Sequence, residues 1–226
     1  CSTPPEAPEQ PKLDSTDQKV SYGMGLVLGE RMGNDLPNLQ MDQFLQGIQH
    51  GHAGDEEAKR MSREEIQQAL MTYQQQLQEE QGKQMEELAQ KNLDAGEAFL
   101  AENAEREGVE TTESGLQFEV LEQGDGEKPA ATDTVQVHYT GELLSGEVFD
   151  SSYARGQSAT FPSNRLIAGW VEALPLMHVG EEWTLFIPSN LAYGPTGTPG
   201  GPIGPNATLI FRMELISLPN RPIDEQ

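Results

Sequence analysis

A long stretch without proline constrains the fold of this chain more than any other feature of its sequence. No proline occurs between Ser62 and Lys128, and Ser62 with Glu65 has the spacing of a capping box that starts a helix. The sequence therefore predicts one helix over residues 62–107, about 46 residues or roughly 70 Å long. Residues 74–84 carry almost no apolar side chain, and a helix that is polar on all sides is typical of a solvated connection between domains.

Opposite charges stand four residues apart at three places in this predicted helix. Such pairs stabilise a helix by roughly 0.2–0.5 kcal/mol each. The pairs are Glu79 with Lys83, Glu87 with Lys91, and Glu102 with Arg106. Gly82 and Gly96 are expected to weaken the helix locally and let it bend.

The composition of the chain changes near Gly108. Of 14 aromatic residues, 10 lie from Phe118 onward, and 10 of the 15 prolines lie beyond Gly108. Apolar residues alternate with polar ones in several short runs there, which include Leu116, Phe118, Val120; Val135, Val137, Tyr139; Trp183, Leu185, Ile187; and Leu209, Phe211, Met213, Leu215. This period predicts an antiparallel sheet with one buried face. A short helix over 166–174 sits between strands, so we predict an α+β domain whose sheet wraps around it.

Residues 17–61 have a helical pattern. Asp17 is placed to cap a first helix that runs to about Met32, and a second short helix ends at Gly51 and Gly54. The apolar face of the second helix consists of Met41, Phe44, Leu45 and Ile48. Ser21, Gly25, Gly29 and Gly33 form a stripe of small residues on the first helix.

The glycine stripe predicts close approach by another helix, because each glycine inside a helix costs roughly 1 kcal/mol. Residues 17–77 also carry many Met and Leu side chains for a segment below the size that usually sustains its own core. We therefore predict that this part of the chain forms a dimer. Two alternatives are a loose segment with incidental glycines, or a segment that folds back onto the sheet domain; the long solvated helix argues against the second.

Charge and cysteine content exclude several classes of function. The net charge is −23, from 14 basic and 37 acidic side chains, so binding to nucleic acid or to an anionic membrane by charge alone is disfavoured. A single cysteine excludes an internal disulfide framework and a multi-cysteine metal site. His50 and His52 stand near acidic residues in a predicted loop, a pattern more typical of incidental surface histidines than of a metal site. Nucleophile-elbow, P-loop and zincin motifs are absent, and we expect no metal or cofactor.

The single cysteine is also the first residue. Cys1 and the residues after it resemble the mature start of a bacterial lipoprotein, in which that cysteine carries lipid; the alternative is a chance start at a cysteine. Residues 1–16 are rich in Pro and Glu and are expected to be a flexible tether. A lipid on Cys1 implies a place in the bacterial cell envelope, on the periplasmic side of the outer membrane or on the cell surface. Membrane attachment is then expected only through that anchor.

Five segments, in order, make the second half of the chain resemble an FKBP-type peptidyl-prolyl cis-trans isomerase. They are residues 137–141 (VHYTG), 146–152 (GEVFDSS), 167–170 (IAGW), 191–194 (LAYG) and 206–211 (NATLIF). Residues 21–25 (SYGMG) and 115–118 (GLQF), with the long helix, resemble the macrophage infectivity potentiator (Mip) branch of that family. The expected organisation is a tether (1–16), a helical dimerisation region (17–61), a connecting helix (62–107) and an isomerase domain (108–226).

The resemblance implies an apolar pocket for a proline ring. Its lining would comprise Tyr139, Phe149, Arg155, Phe161, Leu166, Ile167, Trp170, Ile203 and Phe211, with Trp170 as the floor. Asp150 and Tyr193 would be the catalytic residues: the Asp150 carboxylate would act on the twisted carbonyl, and the Tyr193 hydroxyl would donate to a substrate carbonyl. Ala159 and Thr198 depart from residues common in small family members, which affects ligand affinity rather than the reaction.

The implied activity is isomerisation of Xaa-Pro bonds in unfolded or exported polypeptides, with chaperone activity in addition. Macrolide inhibitors of the FKBP family are implied ligands. Two other functions stay open on the sequence: a non-catalytic holdase chaperone, and a docking lipoprotein that uses an inactive FKBP fold.

Overall fold

The computed structural model describes residues 10–221, and the chain divides into two compact units, Cys1–Thr72 and Tyr73–Gln226. The predicted lipid anchor at Cys1 and most of the predicted tether lie outside the described residues. Within residues 10–221, no helix combines the length and the apolar composition needed to cross a membrane.

The first unit contains two complete helices, α1 (Thr16–Asp35) and α2 (Met41–Ala53), and the start of a third, α3 (Arg63–Ala104). The predicted cap at Asp17 is wrong, because Ser15 caps α1 through a capping box in which Gln18 accepts from the Ser15 amide at 3.0 Å. Gly54, with φ of 67°, ends α2 in the left-handed conformation that favours glycine. The predicted capping box of α3 is present, with hydrogen bonds of 2.8 and 3.1 Å between Ser62 and Glu65.

Neither α1 nor α2 contains a buried residue. Met24 and Val27 are 70% and 68% exposed. A Cβ atom added at Gly25 or Gly29 would meet no atom within 4 Å. The described residues of this unit, 10–72, therefore leave its apolar side chains and its glycine stripe uncovered.

The second unit is an antiparallel sheet around a short helix, together with most of α3. The strands are β1 (Val109–Thr111), β2 (Gln117–Glu122), β3 (Thr134–Leu143), β4 (Val148–Ser151), β5 (Ala159–Pro162), β6 (Glu182–Ile187) and β7 (Leu209–Ser217). They lie in the order β1-β2-β6-β7-β3-β4, and β5 pairs with β3. The helix α4 (Ala168–Ala173) continues into a 3-10 turn, Leu174–Leu176. The predicted α+β architecture is confirmed.

The alternating runs of the sequence form the core of this unit. Val135, Val137 and Tyr139 on β3 are buried, and their polar neighbours are partly exposed. On β7 the buried residues are Leu209, Phe211, Met213 and Leu215. Burying each such apolar side chain contributes about 1.5–3 kcal/mol, which holds the sheet against α4.

The C-terminal part of α3, beyond the polar stretch 74–84 that is mostly exposed as expected, packs on the other face of β2 and β6. Phe99 of α3 lies 5.9 Å from Phe186 of β6 between ring centroids. The buried Gln117 of β2 accepts a hydrogen bond from Asn103 at 2.8 Å and donates one to the Leu100 carbonyl at 2.8 Å. These contacts make the end of α3 a part of the sheet domain.

The three predicted charge pairs along α3 do not form among the residues that the structure describes. Arg106 instead donates to Glu119 of β2 at 2.8 Å, across the helix–sheet contact. Glu79 accepts from Gln75 at 3.0 Å, so a neutral amide takes the place of the predicted lysine. Pairing across the contact prevails at the end of the helix because Arg106 lies beside a strand there.

We expect Gly96→Ala to destabilise the protein. The new Cβ would lie 2.3 Å from the Thr208 hydroxyl oxygen, so either the helix or Thr208 must shift. Overpacking of this kind costs about 1–3 kcal/mol in the free energy of unfolding. Urea denaturation of the full chain measures it.

Gly82→Ala is the matched control in the same helix. No atom lies within 4 Å of the added Cβ at Gly82, so this variant gains up to about 1 kcal/mol from helix propensity alone. Equal stabilisation by both substitutions would contradict the close contact at Gly96.

Candidate functional site

Trp170 on α4 lies among aromatic rings that come from the surrounding strands. Its ring centroid lies 5.1 Å from those of Tyr139 and Phe211 and 5.9 Å from that of Phe161. All three contacts are edge to face, and Phe149 meets Phe211 in the same way at 5.5 Å. One helix and four strands thus contribute rings to a single apolar surface.

Gly141 on β3 permits this close packing of rings. A Cβ at that position would lie 2.6 Å from Phe211 and 2.7 Å from Phe149, closer than real Cβ contacts allow. A larger residue would push both rings away from the cluster. The VHYTG motif contains this glycine, but its role depends on rings from distant strands and was not predicted from the sequence.

A hydrogen-bonded trio of polar side chains borders the ring cluster. The Tyr139 hydroxyl donates to Asp150 Oδ2 at 2.6 Å and accepts from Arg155 Nη2 at 2.9 Å. Arg155 Nη1 also donates to Asp150 Oδ1, so the carboxylate is bound through both oxygens. The guanidinium carbon of Arg155 lies 5.7 Å from the centre of the Tyr139 ring. Tyr139 therefore belongs to both the apolar cluster and the polar trio.

The trio keeps Asp150 charged and Tyr139 neutral. Burial by itself would raise the pKa of Asp150, but the hydrogen bonds from Tyr139 and Arg155 outweigh it and hold that pKa below its ordinary value. Burial, together with the hydrogen bond to Asp150, raises the pKa of the Tyr139 hydroxyl. Near neutral pH, the site thus presents an ionised carboxylate, paired with the Arg155 guanidinium, beside an apolar surface.

Ser152 supports the trio from behind, a role that the sequence motif did not reveal. Its buried hydroxyl accepts from the Tyr139 amide at 2.8 Å and donates to the Tyr139 carbonyl at 3.2 Å. The Ser152 amide also donates to that carbonyl at 2.9 Å. These bonds fix β3 against the end of β4, which carries Asp150.

The other predicted site residues lie around the cluster. Leu166 and Ile167 precede α4, are partly buried and pack against the core, and Ile203 is 4% exposed within it. Tyr193 is 41% exposed, at the start of the 3-10 turn Gly194–Thr196. Its hydroxyl makes no hydrogen bond to another of the residues 10–221.

Within the described part of the chain, no three His, Cys, Asp or Glu side chains are grouped so that they could hold a metal ion. His50 and His52 lie on α2 rather than in the predicted loop. The rings around Trp170, with the Asp150 carboxylate at their border, suit the binding of a small apolar group beside a carboxylate.

Two family models match the chain. The model for FKBP-type peptidyl-prolyl cis-trans isomerase matches residues 125–216, and the model for the domain amino terminal to it matches residues 17–120. The chain is 39% identical to the outer membrane protein MIP of Legionella longbeachae, over 96% of this chain and 92% of that protein. It is 42% identical to the FKBP-type 22 kDa peptidyl-prolyl cis-trans isomerase of Escherichia coli, over 92% of this chain and 98% of that protein.

The crystal structure of FkpA from Escherichia coli has the same fold. It superposes with a TM-score of 0.81 at 36% identity, and the match covers 91% of this chain and 98% of that chain. The predicted resemblance is confirmed across both parts of the sequence: the chain belongs to the FKBP-type peptidyl-prolyl cis-trans isomerases.

Proposed function

We propose that this isomerase binds the proline ring of an Xaa-Pro segment on the aromatic surface around Trp170. The Xaa-Pro amide that rotates then lies beside Asp150. The observation that carries the proposal is the double role of Tyr139. Its ring packs at 5.1 Å from Trp170 and its hydroxyl binds Asp150 at 2.6 Å. One side chain therefore fixes the position of the Asp150 carboxylate relative to the apolar surface.

Such a site needs no covalent step. Rotation about an Xaa-Pro amide must cross a barrier of roughly 18–20 kcal/mol, because resonance is lost at the perpendicular geometry. The twisted amide is less dipolar than the planar one, so an apolar, water-poor surface disfavours the ground state more than the transition state. Binding the twisted form more tightly than the planar forms is sufficient for catalysis.

In this mechanism Asp150 acts electrostatically on the twisted carbonyl. Tyr139 and Arg155 prevent the carboxylate from rotating, so little reorganisation is needed during the reaction. The Tyr193 hydroxyl donates a hydrogen bond to a substrate carbonyl, a role supported by the exposure of this side chain. Leu166, Ile167, Phe149, Phe161, Phe211 and Ile203 complete the apolar lining.

We expect Asp150→Asn to lower kcat/KM about tenfold or more, because the amide lacks the charge that acts on the twisted bond. Trp170→Leu should lower it to a similar extent through loss of the ring surface. A proline-isomerisation assay on the full chain measures both, with circular dichroism to show that each variant is folded.

Glu182→Gln is the matched control, since Glu182 binds Arg212 on the sheet away from the ring cluster. It should leave kcat/KM unchanged. Full activity in both Asp150→Asn and Trp170→Leu would overturn the site assignment.

The pH profile of kcat/KM should be flat between about pH 5 and pH 9. Asp150 has a lowered pKa, so the stabilising charge is fully present above the unfolded value near 4 and is lost only as pH falls through the lower, folded pKa. Tyr139 has a raised pKa, so its proton is kept up to about pH 10 and is lost only above that. A fall in kcat/KM with a midpoint between pH 5 and 9 would contradict the trio.

We also propose that the chain forms a homodimer through residues 17–61. It is supported by the exposed apolar side chains of α1 and α2 and by the glycine stripe, which no described residue of this unit covers. The match of residues 17–120 to the domain amino terminal to these isomerases is consistent with it.

Gly29→Glu should convert the dimer to a monomer. The single chain has room for the new side chain, but a second helix lying on the stripe does not. Light scattering at micromolar concentration measures the mass, and Gly82→Glu, outside the stripe, should leave it dimeric. A monomeric parent protein, or a dimeric Gly29→Glu variant, would refute the dimer interface.

A second proposed activity is that of a holdase chaperone, in which an apolar cleft between the two subunits of the dimer binds unfolded chains. This activity is independent of Asp150, so it should persist when isomerisation is lost.

The proposed clients are proline-containing exported polypeptides, and macrolide inhibitors of the family are proposed ligands of the ring cluster. An inactive docking function is not favoured, because the matched relatives are named as isomerases.

The proposed location is the bacterial cell envelope. One relative is named an outer membrane protein, which supports it. Anchoring through a lipid on Cys1, on the periplasmic side of the outer membrane or at the cell surface, stays a prediction, because Cys1 lies outside the described residues.

A further inference from the structure

The loop over residues 194–206, which we call the pocket loop, brings Ile203 into the core beside the ring cluster. It pairs with no strand of the sheet and is closed by its own hydrogen bonds. The Asn206 amide donates to the Gly194 carbonyl at 2.9 Å, and the Thr198 amide donates to the Ile203 carbonyl at 2.9 Å. These bonds shape the loop, but they do not by themselves fix it to the rest of the domain.

Helix α3 holds this loop through two reciprocal amide bridges. The side-chain amide of Asn92 on the helix donates to the Pro205 carbonyl of the loop at 2.8 Å. In return, the side-chain amide of Asn206 in the loop donates to the Ala89 carbonyl of the helix at 3.2 Å. Ala89 and Asn92 are three residues apart, so both bridges leave from one face of α3.

The same face of α3 continues to Gly96, where the close contact with Thr208 follows the end of the loop. Pro205 is buried, so removal of the Asn92 amide would leave the Pro205 carbonyl without a hydrogen-bond donor. An unsatisfied buried acceptor is costly. Gly204 lies against the Asn92 amide, with a virtual Cβ only 3.2 Å away. The bridge from Asn92 is thus partly buried and flanked by Gly204.

Asn206 has a strained backbone at the point of contact. Its φ is 53°, and it is the one residue other than glycine with a positive φ in the described part of the chain. Asparagine tolerates this conformation better than most residues, but it persists only where surrounding bonds hold it. The bonds to Ala89 and Gly194 come from this residue's side chain and backbone, so they supply that hold.

We propose that Asn92 and Asn206 are positioning residues of the isomerase site, which fix the pocket loop so that Ile203 is held against the ring cluster. The inference rests on the proposed pocket. It makes the long helix, which lies outside the predicted isomerase domain, a support of substrate binding. Since the loop carries no member of the Tyr139 trio, its displacement should affect binding more than turnover.

The test uses the full chain with Asn92→Ala and Asn92→Asp. The first removes the donor, and the second keeps the size but places an acceptor opposite the Pro205 carbonyl. Each should raise KM for a proline-containing peptide about three- to tenfold, the range for loss of one hydrogen bond that holds a binding loop, with kcat within about twofold of the parent. Thermal denaturation is measured for every variant.

Asn103→Ala is the matched control. Asn103 is also an α3 amide that donates to the sheet domain at 2.8 Å, but its partner is Gln117 on β2, away from the pocket loop. It should lower the melting temperature at least as much as Asn92→Ala does and leave KM unchanged. An unchanged KM in both Asn92 variants, or an equal rise in Asn103→Ala, would overturn the positioning role.

Trp170→Leu in the same assay separates this inference from the proposed site. If Trp170→Leu weakens kcat/KM and the Asn92 variants do not change KM, the pocket stands and the bridges are only structural. If Trp170→Leu has no effect, the pocket assignment itself fails, and the bridges lose their proposed purpose with it.

Discussion

The hydroxyl of Tyr139 connects the two chemically different parts of the site. An apolar surface alone would bind a proline ring without distinguishing planar from twisted amides by charge. A carboxylate alone, half-exposed on the sheet, would be free to rotate and to be screened by water. The bond from Tyr139 to Asp150, with Arg155 on the opposite oxygen, fixes the charge at the border of the rings. Ser152 holds the Tyr139 backbone in place through its hydroxyl and its amide, and Gly141 leaves room for the rings of Phe149 and Phe211.

Helix α3 belongs physically to the sheet domain over its C-terminal part. Phe99 covers Phe186, Asn103 and Gln117 satisfy each other, and Gly96 lets the helix approach Thr208. Because β2 and β6 are covered by the core on one face and by α3 on the other, cutting the chain near Gly108 would expose buried apolar and polar groups. Activity measured on such a fragment would come from a domain that lacks the part of α3 that covers β2 and β6.

The sequence predicted an antiparallel sheet around a short helix and identified four of the seven strands within residues 10–221, β2, β3, β6 and β7, whereas β1, β4 and β5 carry no comparable alternating run. Period-two alternation identified the buried face of β3 and β7, and the ordered motifs identified the ring cluster by resemblance. The contacts of α3 were not predictable in this way. Gly96 looked like a weak point of a helix because its partner, Thr208, lies far away in the sequence. Likewise, a charge at i+4 signalled a pair for Glu102, whereas the strand beside the helix offered Arg106 a different partner in Glu119.

Local capping chemistry also explains one wrong boundary. Asp17 and Ser15 are both good cap residues, and only Ser15 has a glutamine three positions later to return the hydrogen bond. At Ser62 the same pattern was recognised and the cap is present. The difference shows that the second half of a capping box carries the information about where a helix starts.

A double-mutant cycle on Tyr139→Phe and Asp150→Asn tests the central claim most directly. The kcat/KM for a proline-containing peptide is measured for the parent, both single variants and the double variant. If the Tyr139 hydroxyl acts by holding the Asp150 carboxylate, each single substitution lowers kcat/KM and the double variant is little worse than Asp150→Asn alone. If the two losses multiply, the hydroxyl and the carboxylate act independently, and the coupling described here is contradicted.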